Sequence, residues 1–271
     1  MWSMPCGTFD TMKMDTMKRW LFALSLLAAH ALASAATTAE EILVASDAIR
    51  NPGRPFSVTV TLTEFQAGKQ VDTSTLVSYS RTNQAGGQFS SLIRFVQPAR
   101  DAGKLMLKNG NDMWFYDPLS KASVRLSPQQ RLLGQASNGD VATVNLARDY
   151  KATLAGTEDV KDGEGKLRTT HKLMLVAAAP DVTYASIEMW VDSSNNQPIK
   201  ARFFADSARL LKTAFYRKYE MQLGQERPTE TVIIDGLNNR SVTIMRFTNY
   251  VARVIPDTWF QRDFLPRFQP D

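Results

Sequence analysis

With 271 residues, 44% of them hydrophobic, the chain is too long for a disulfide-stapled miniprotein, too apolar for a disordered one, and ample for an ordinary core. One cysteine, Cys6, and two histidines, His30 and His171, leave no supply for the usual zinc, Cys/His or Ser/His/Asp sites. The net charge of +5 comes from 32 basic and 27 acidic residues scattered singly, which reads as a solvated face and not as a nucleic-acid stripe.

Lys18-Arg19 precede an apolar run from Trp20 to Leu32 that closes on Ala33-Ser34-Ala35. A basic start, a short apolar stretch and a small-x-small site read as a secretory signal peptide over 17–35, cleaved after Ala35. The run is shorter than the roughly 18 apolar residues of a membrane span. Residues 1–16 carry no targeting logic, and the expectation is an upstream extension from a mis-assigned start, with Met17 the true beginning. Removing 35 of 271 residues leaves 236, in a single domain over 36–271; losing Lys13, Lys18, Arg19, Asp10 and Asp15 leaves 29 basic against 25 acidic. Cys6 and His30 go with the leader, so the remainder has no disulfide and one histidine.

Thr38-Ala-Glu-Glu41 fits a capping box, and Ile42, Leu43, Ser46 and Ile49 follow at helical spacing, which predicts a helix over Ala39 to Arg50, stopped by Asn51-Pro52-Gly53. From Phe56 to Thr63 apolar and hydroxyl residues alternate with period two, as in a strand with one buried face. Ala67-Gly68 and Gly86-Gly87 turn the chain into strands over 70–82 and 88–97. Leu105–Leu107 and Met113–Tyr116 flank Asn109-Gly110, a tight-hairpin signal, and Ala122–Leu126 extends the hairpin to a meander. Whether Met113 and Phe115 or Trp114 and Tyr116 point inward is left open by four large residues in a row.

Ser127-Pro128 predicts a helical turn through Leu133, and Ser137-Asn-Gly-Asp140 a second helix over Val141 to Arg148. Strands then run over 150–159, 167–176, 186–192, 198–204, 210–219, 226–234 and 241–251, linked by Asn-, Asp- and Gly-rich turns. The ending Asp257-Thr-Trp-Phe…Phe264 reads as a helical turn laying Trp259, Phe260 and Phe264 on the body. Roughly eleven or twelve consecutive antiparallel strands imply one large sheet that must curl, split or close. The fold class is α+β, mainly antiparallel β, with the few helices covering a hydrophobic concave face.

Catalytic motifs are scarce. Gly163-Glu-Gly165 is a turn, His171 sits mid-strand, and the carboxylate pairs Glu188/Asp192 and Asp101/Asp112 have no geometry that spacing selects. Large adaptable side chains are plentiful, with Met106, Met113, Met174, Met189 and Met245 on separate strands, which favours a binding module over an enzyme.

The run Asn109-Gly-x-Asp-Met-Trp-Phe-Tyr-Asp-Pro118, with Leu126-Ser-Pro128, Gly134-Gln-Ala-Ser-Asn-Gly-Asp140 and Asp257-Thr-Trp-Phe260, resembles the outer-membrane lipoprotein-sorting (LolA-like) family, especially its periplasmic branch of uncharacterised members. The resemblance implies an unclosed half β-barrel lidded by helices over a hydrophobic cavity, with no metal and no cofactor. It implies periplasmic, non-covalent carriage of a lipid or acyl-chain cargo by a monomer, with an inner- or outer-membrane transport partner and no nucleic acid. Val58, Val60, Leu62, Phe89, Ile93, Met106, Trp114, Met189 and Phe203 are the expected lining. In the family an arginine near the third strand bonds the lid helix; Arg94 is the position to match, although here Phe95 follows it and the proline comes only at Pro98. A sensory module binding envelope lipid or protein for an inner-membrane partner is the alternative on the same fold.

Overall fold

The backbone divides into Met1–Thr37 and Thr38–Asp271. This computed structural model describes residues 1–3, 37–82, 87–110, 112–179 and 181–269; the expected signal peptide and all but the first three residues of the expected upstream extension lie outside them, and the architecture below is that of the second unit.

Helix α1 (Ala39–Arg50) opens on the predicted box, with the Glu41 side chain accepting from the Thr38 amide at 2.8 Å and the Thr38 hydroxyl from the Glu41 amide at 3.2 Å. Strands β1 (Phe56–Gln66), β2 (Lys69–Thr82), β3 (Phe89–Gln97), β4 (Leu105–Asn109), β5 (Asp112–Asp117) and β6 (Ala122–Leu126) follow as antiparallel neighbours. After an insert come β9 (Tyr150–Lys161), β10 (Leu167–Ala177), β11 (Ser186–Asp192), β12 (Pro198–Phe204), β13 (Leu210–Gln222), β14 (Gln225–Asp235) and β15 (Ser241–Ala252). The sheet has thirteen strands in the order β6-β5-β4-β3-β2-β1-β15-β14-β13-β12-β11-β10-β9. The pairing of β1 with β15 joins the two meanders, and β6 and β9 are free edges, so the barrel stays open.

The insert departs from the sequence reading. Residues 127–133 are not helical: β7 (Arg131–Leu133) and β8 (Ala136–Ser137) form a small hairpin turned at Gly134, φ +53°. The Asn138 and Gly139 amides bond back to the Gln130 and Pro128 carbonyls at 2.9 Å each, closing the loop that a helix would have extended. In place of one helix over 141–148 stand two single turns, α2 (Asn138–Val141) and α3 (Leu146–Asp149). Between them Thr143 is tied to the sheet, its amide to the Ser91 hydroxyl at 3.3 Å and its hydroxyl to Ser80 at 2.8 Å. Side-chain bonds to the sheet thus outweigh the helical pattern of the segment.

One face of the sheet carries the main core, including Val60, Leu62, Ile93, Met106, Met113, Leu173, Ile187, Met189 and Ile233, under α1 and the insert. The other face of β2–β5 carries a second core of Tyr79, Leu92, Leu105, Leu107 and Tyr116. It is covered by two 3-10 turns, Asp257–Phe260 and Arg262–Arg267, through Trp259, Phe260 and Leu265.

Candidate functional site: a lidded cavity

Helix α1 turns Ile42, Leu43 and Ile49 onto the sheet and packs on β9, β12 and β14. Its last turn is fastened from two sides. From β14, the buried Arg227 guanidinium donates to the Ala48 and Ile49 carbonyls at 2.8 and 2.7 Å, satisfying acceptors that a helix end leaves open. From the insert, the Ala147 amide donates to Asp47 Oδ2 at 2.8 Å, while Arg50 and Asn51 donate to the Val144 carbonyl at 3.3 and 2.8 Å. Asp47 and Arg50 pair with each other across one helical turn. Burial pushes the Asp47 carboxyl up, and the Arg50 charge beside it opposes that push. On the far side of the insert, Gln88 accepts from the Asn145 amide at 2.8 Å. Together α1 and residues 138–149 form a strap held by polar contacts over an apolar sheet.

Beneath the strap is a cavity of about 150 Å³. Its floor is apolar, with Val58, Val60, Ile187, Phe203, Ala214 and Ile233 from five strands. A polar knot closes one end. The Lys212 ammonium, only 4% exposed, donates to the Gln135 carbonyl at 2.9 Å, to the Ser137 hydroxyl at 3.1 Å and to Asp140. It lies 5.0 Å above the Tyr184 ring. The Tyr184 hydroxyl donates to Asp140 at 2.6 Å, and burial with the Asp140 charge drives its ionisation well above the ordinary tyrosine range. A second, wetter recess of about 280 Å³ adjoins the knot and shares Thr183, Tyr184 and Lys212 with the cavity.

Of the residues expected to line the site, Val58, Val60 and Phe203 border the cavity. Leu62, Phe89, Ile93, Met106 and Met189 share its face, packed in the surrounding core. Trp114 does not: it pairs across β4 with Leu107 in the second core, under the Arg262 guanidinium at 4.5 Å from its ring. Met113 and Phe115 take the inner face instead. The latch expectation for Arg94 is also corrected. Its cross-strand neighbours Val77 and Leu105 belong to the second core, so the pleat points it away from the strap, and Arg227 holds the helix instead. The sequence reading missed Lys212, whose only signal was its phase with Ala214 and Tyr216 at period two, all three bordering the cavity. It also missed Arg50 and Arg227, for which no local signal exists.

Among the described residues no cluster of His, Cys, Asp or Glu is placed to hold a metal, and no helix is long and apolar enough to cross a membrane. Glu188 is engaged by Arg202 at 3.0 Å and Asp192 by Arg168 at 3.4 Å. His171 lies in β10 between Thr157 and Val191.

A LolA superfamily protein from Nitrosomonas europaea is 33% identical, with 84% of this chain and all of that one covered and a TM-score of 0.75. The chain belongs to the LolA superfamily. A family model described as "Uncharacterized protein" matches residues 87–267. A DUF1329 family protein from Desulfovibrio piger (22% identity, 84% and 97% covered, TM-score 0.70) shares the fold. So does a putative outer membrane lipoprotein-sorting protein domain from Vibrio parahaemolyticus (18%, 84% and 98%, 0.69). No curated protein sequence matches. The open, mainly antiparallel sheet with few helices is the LolA-like half-barrel.

Proposed function

We propose that this LolA superfamily member is a periplasmic carrier that binds a lipophilic cargo, a lipid or an acylated protein, without a covalent step. The observation that carries the reading is the apolar-floored cavity roofed by a strap that hydrogen bonds fasten down, from Arg227 to α1 and from Thr143 and Asn145 of the insert to Ser80, Ser91 and Gln88. A cavity near 150 Å³ is the size that accepts one benzene-sized group. An acyl chain therefore enters only as the strap lifts from the sheet and the cavity extends into the core around Ile93, Met106 and Met189. Each methylene buried there contributes about 0.8 kcal/mol, so a long chain repays the broken polar fastenings. The signal-peptide pattern over 17–35 and membership of the LolA superfamily support an extracytoplasmic setting.

The test is native mass spectrometry and lipid extraction of the protein as isolated, followed by rebinding to the delipidated form. Co-purifying lipid and saturable rebinding are expected. Recovery of none, with no lipid bound by the delipidated protein, refutes carriage.

A further inference from the structure

The recess beside the cavity has a composition that an apolar cargo alone does not call for. Arg131, Arg209 and Lys212 line it against one carboxylate, Asp206. Lys212 is spoken for, since its three donors go to Gln135, Ser137 and Asp140 and its charge is met by Asp140. The arginines are held loosely or not at all. The Arg209 guanidinium, on the turn joining β12 to β13, makes no ion pair or hydrogen bond among the described residues. Arg131 is 66% exposed, and its partners are long-range ones: it donates to the Gln135 side-chain oxygen at 3.3 Å and pairs with Asp235 at 3.9 Å. The other oxygen of that carboxylate, Oδ1, accepts the Leu237 and Asn238 amides at 2.8 and 2.9 Å, which anchors Asp235 in its own turn.

Recess and cavity share Thr183, Tyr184 and Lys212 as a common wall, so a chain that fills the cavity once the strap lifts ends beside the recess. We infer that the cargo is an anionic amphiphile, its chain under the strap and its oxyanion headgroup, carboxylate or phosphate, held in this recess by Arg131 and Arg209. The inference rests on the carrier reading and names the cargo class for that site. Guanidinium groups suit such headgroups because their N–H pairs match two oxygens at once. The Lys212–Asp140–Tyr184 knot marks the boundary: its polar atoms satisfy one another, so a chain lying against it leaves no buried donor unpaired. Asp206 repels a headgroup at the same rim, which places the anion on the arginine side.

The full chain, delipidated, is titrated by calorimetry with laurate, dodecyl phosphate, dodecanol and inorganic phosphate. Both anionic amphiphiles are expected to bind about 10-fold tighter than dodecanol, the scale of two exposed charge-assisted contacts, with the advantage shrinking as salt rises. The relative strength of laurate and dodecyl phosphate tells carboxylate from phosphate cargo. Inorganic phosphate is expected to bind far more weakly. In the double variant Arg131→Gln/Arg209→Gln the advantage disappears while dodecanol affinity holds; in Asp206→Asn it grows. Equal binding of dodecanol and the anions by the native chain, an advantage surviving the double variant, or inorganic phosphate matching dodecyl phosphate overturns the headgroup inference alone. If no amphiphile of either charge binds, the carrier reading falls and takes the inference with it.

Discussion

If the strap is a lid, α1 opens by itself, and Arg227 sets how often. The perturbation is Arg227→Met, which keeps an unbranched chain of similar length in a site that is 3% exposed and removes the donors to the Ala48 and Ile49 carbonyls. Each bond from a charged donor contributes about 1.5 kcal/mol or more, and water reaches the freed helix end once it opens. The opening free energy of α1 therefore drops by about 2–3 kcal/mol. Native-state hydrogen exchange reads this directly: the amides of Ile42 to Arg50 exchange about 30- to 150-fold faster, while those of β1 and β2 keep their rates. Arg94→Met, on the other face, leaves α1 exchange where it was. Equal acceleration over α1, β1 and β2 would refute the reasoning, since α1 would then open only with the whole sheet.

Three further outcomes test other parts of the structure. Burial lowers the Lys108 amine to about 8, partly offset by the Asp149 charge. The unfolded chain then holds a proton from pH about 8 to 10.4 that the folded one lacks, so stability rises with pH through that window, by about 3 kcal/mol if traversed in full. Lys108→Met abolishes the rise in urea titrations between pH 7 and about 9.5, below ordinary tyrosine ionisation; parallel pH curves for both proteins would refute it. A side chain at Gly139 would strike Thr183, so Gly139→Ala is expected to cost about 1–3 kcal/mol and adding Thr183→Ala to recover most of it, checked by thermal melts. Phe203→Ala weakens dodecanol binding in the same calorimetric titration and Trp114→Ala leaves it unchanged, because only Phe203 borders the cavity.

The Trp114 expectation failed on strand phase, whereas Arg94 rested on the family resemblance alone. At Met113-Trp-Phe-Tyr116 every residue is large and apolar, and a strand with cores on both faces carries no alternation from which to read its phase. Trp259, Phe260 and Leu265, far along the chain, create the second face and claim Trp114 and Tyr116 for it. The insert failed differently, since its helical spacing lost to bonds that Ser80 and Ser91 offer Thr143.

Local chemistry written in consecutive residues was enough for α1 and its capping box, for the strand order of the two meanders and for the phase of β1, where hydroxyl and apolar residues alternate. Turn residues and period-two patterns act over a few positions, and nothing distant overrode them. What closes the cavity was beyond such reach. Arg227 meets Ala48 across 179 positions, Lys212 meets Asp140 across 72, and Arg131 and Arg209 come to one recess only after the insert folds beside β12 and β13. A buried or paired charge has no local signature, because its partner is chosen by the sheet's curvature and register, and those are decided by the whole chain at once.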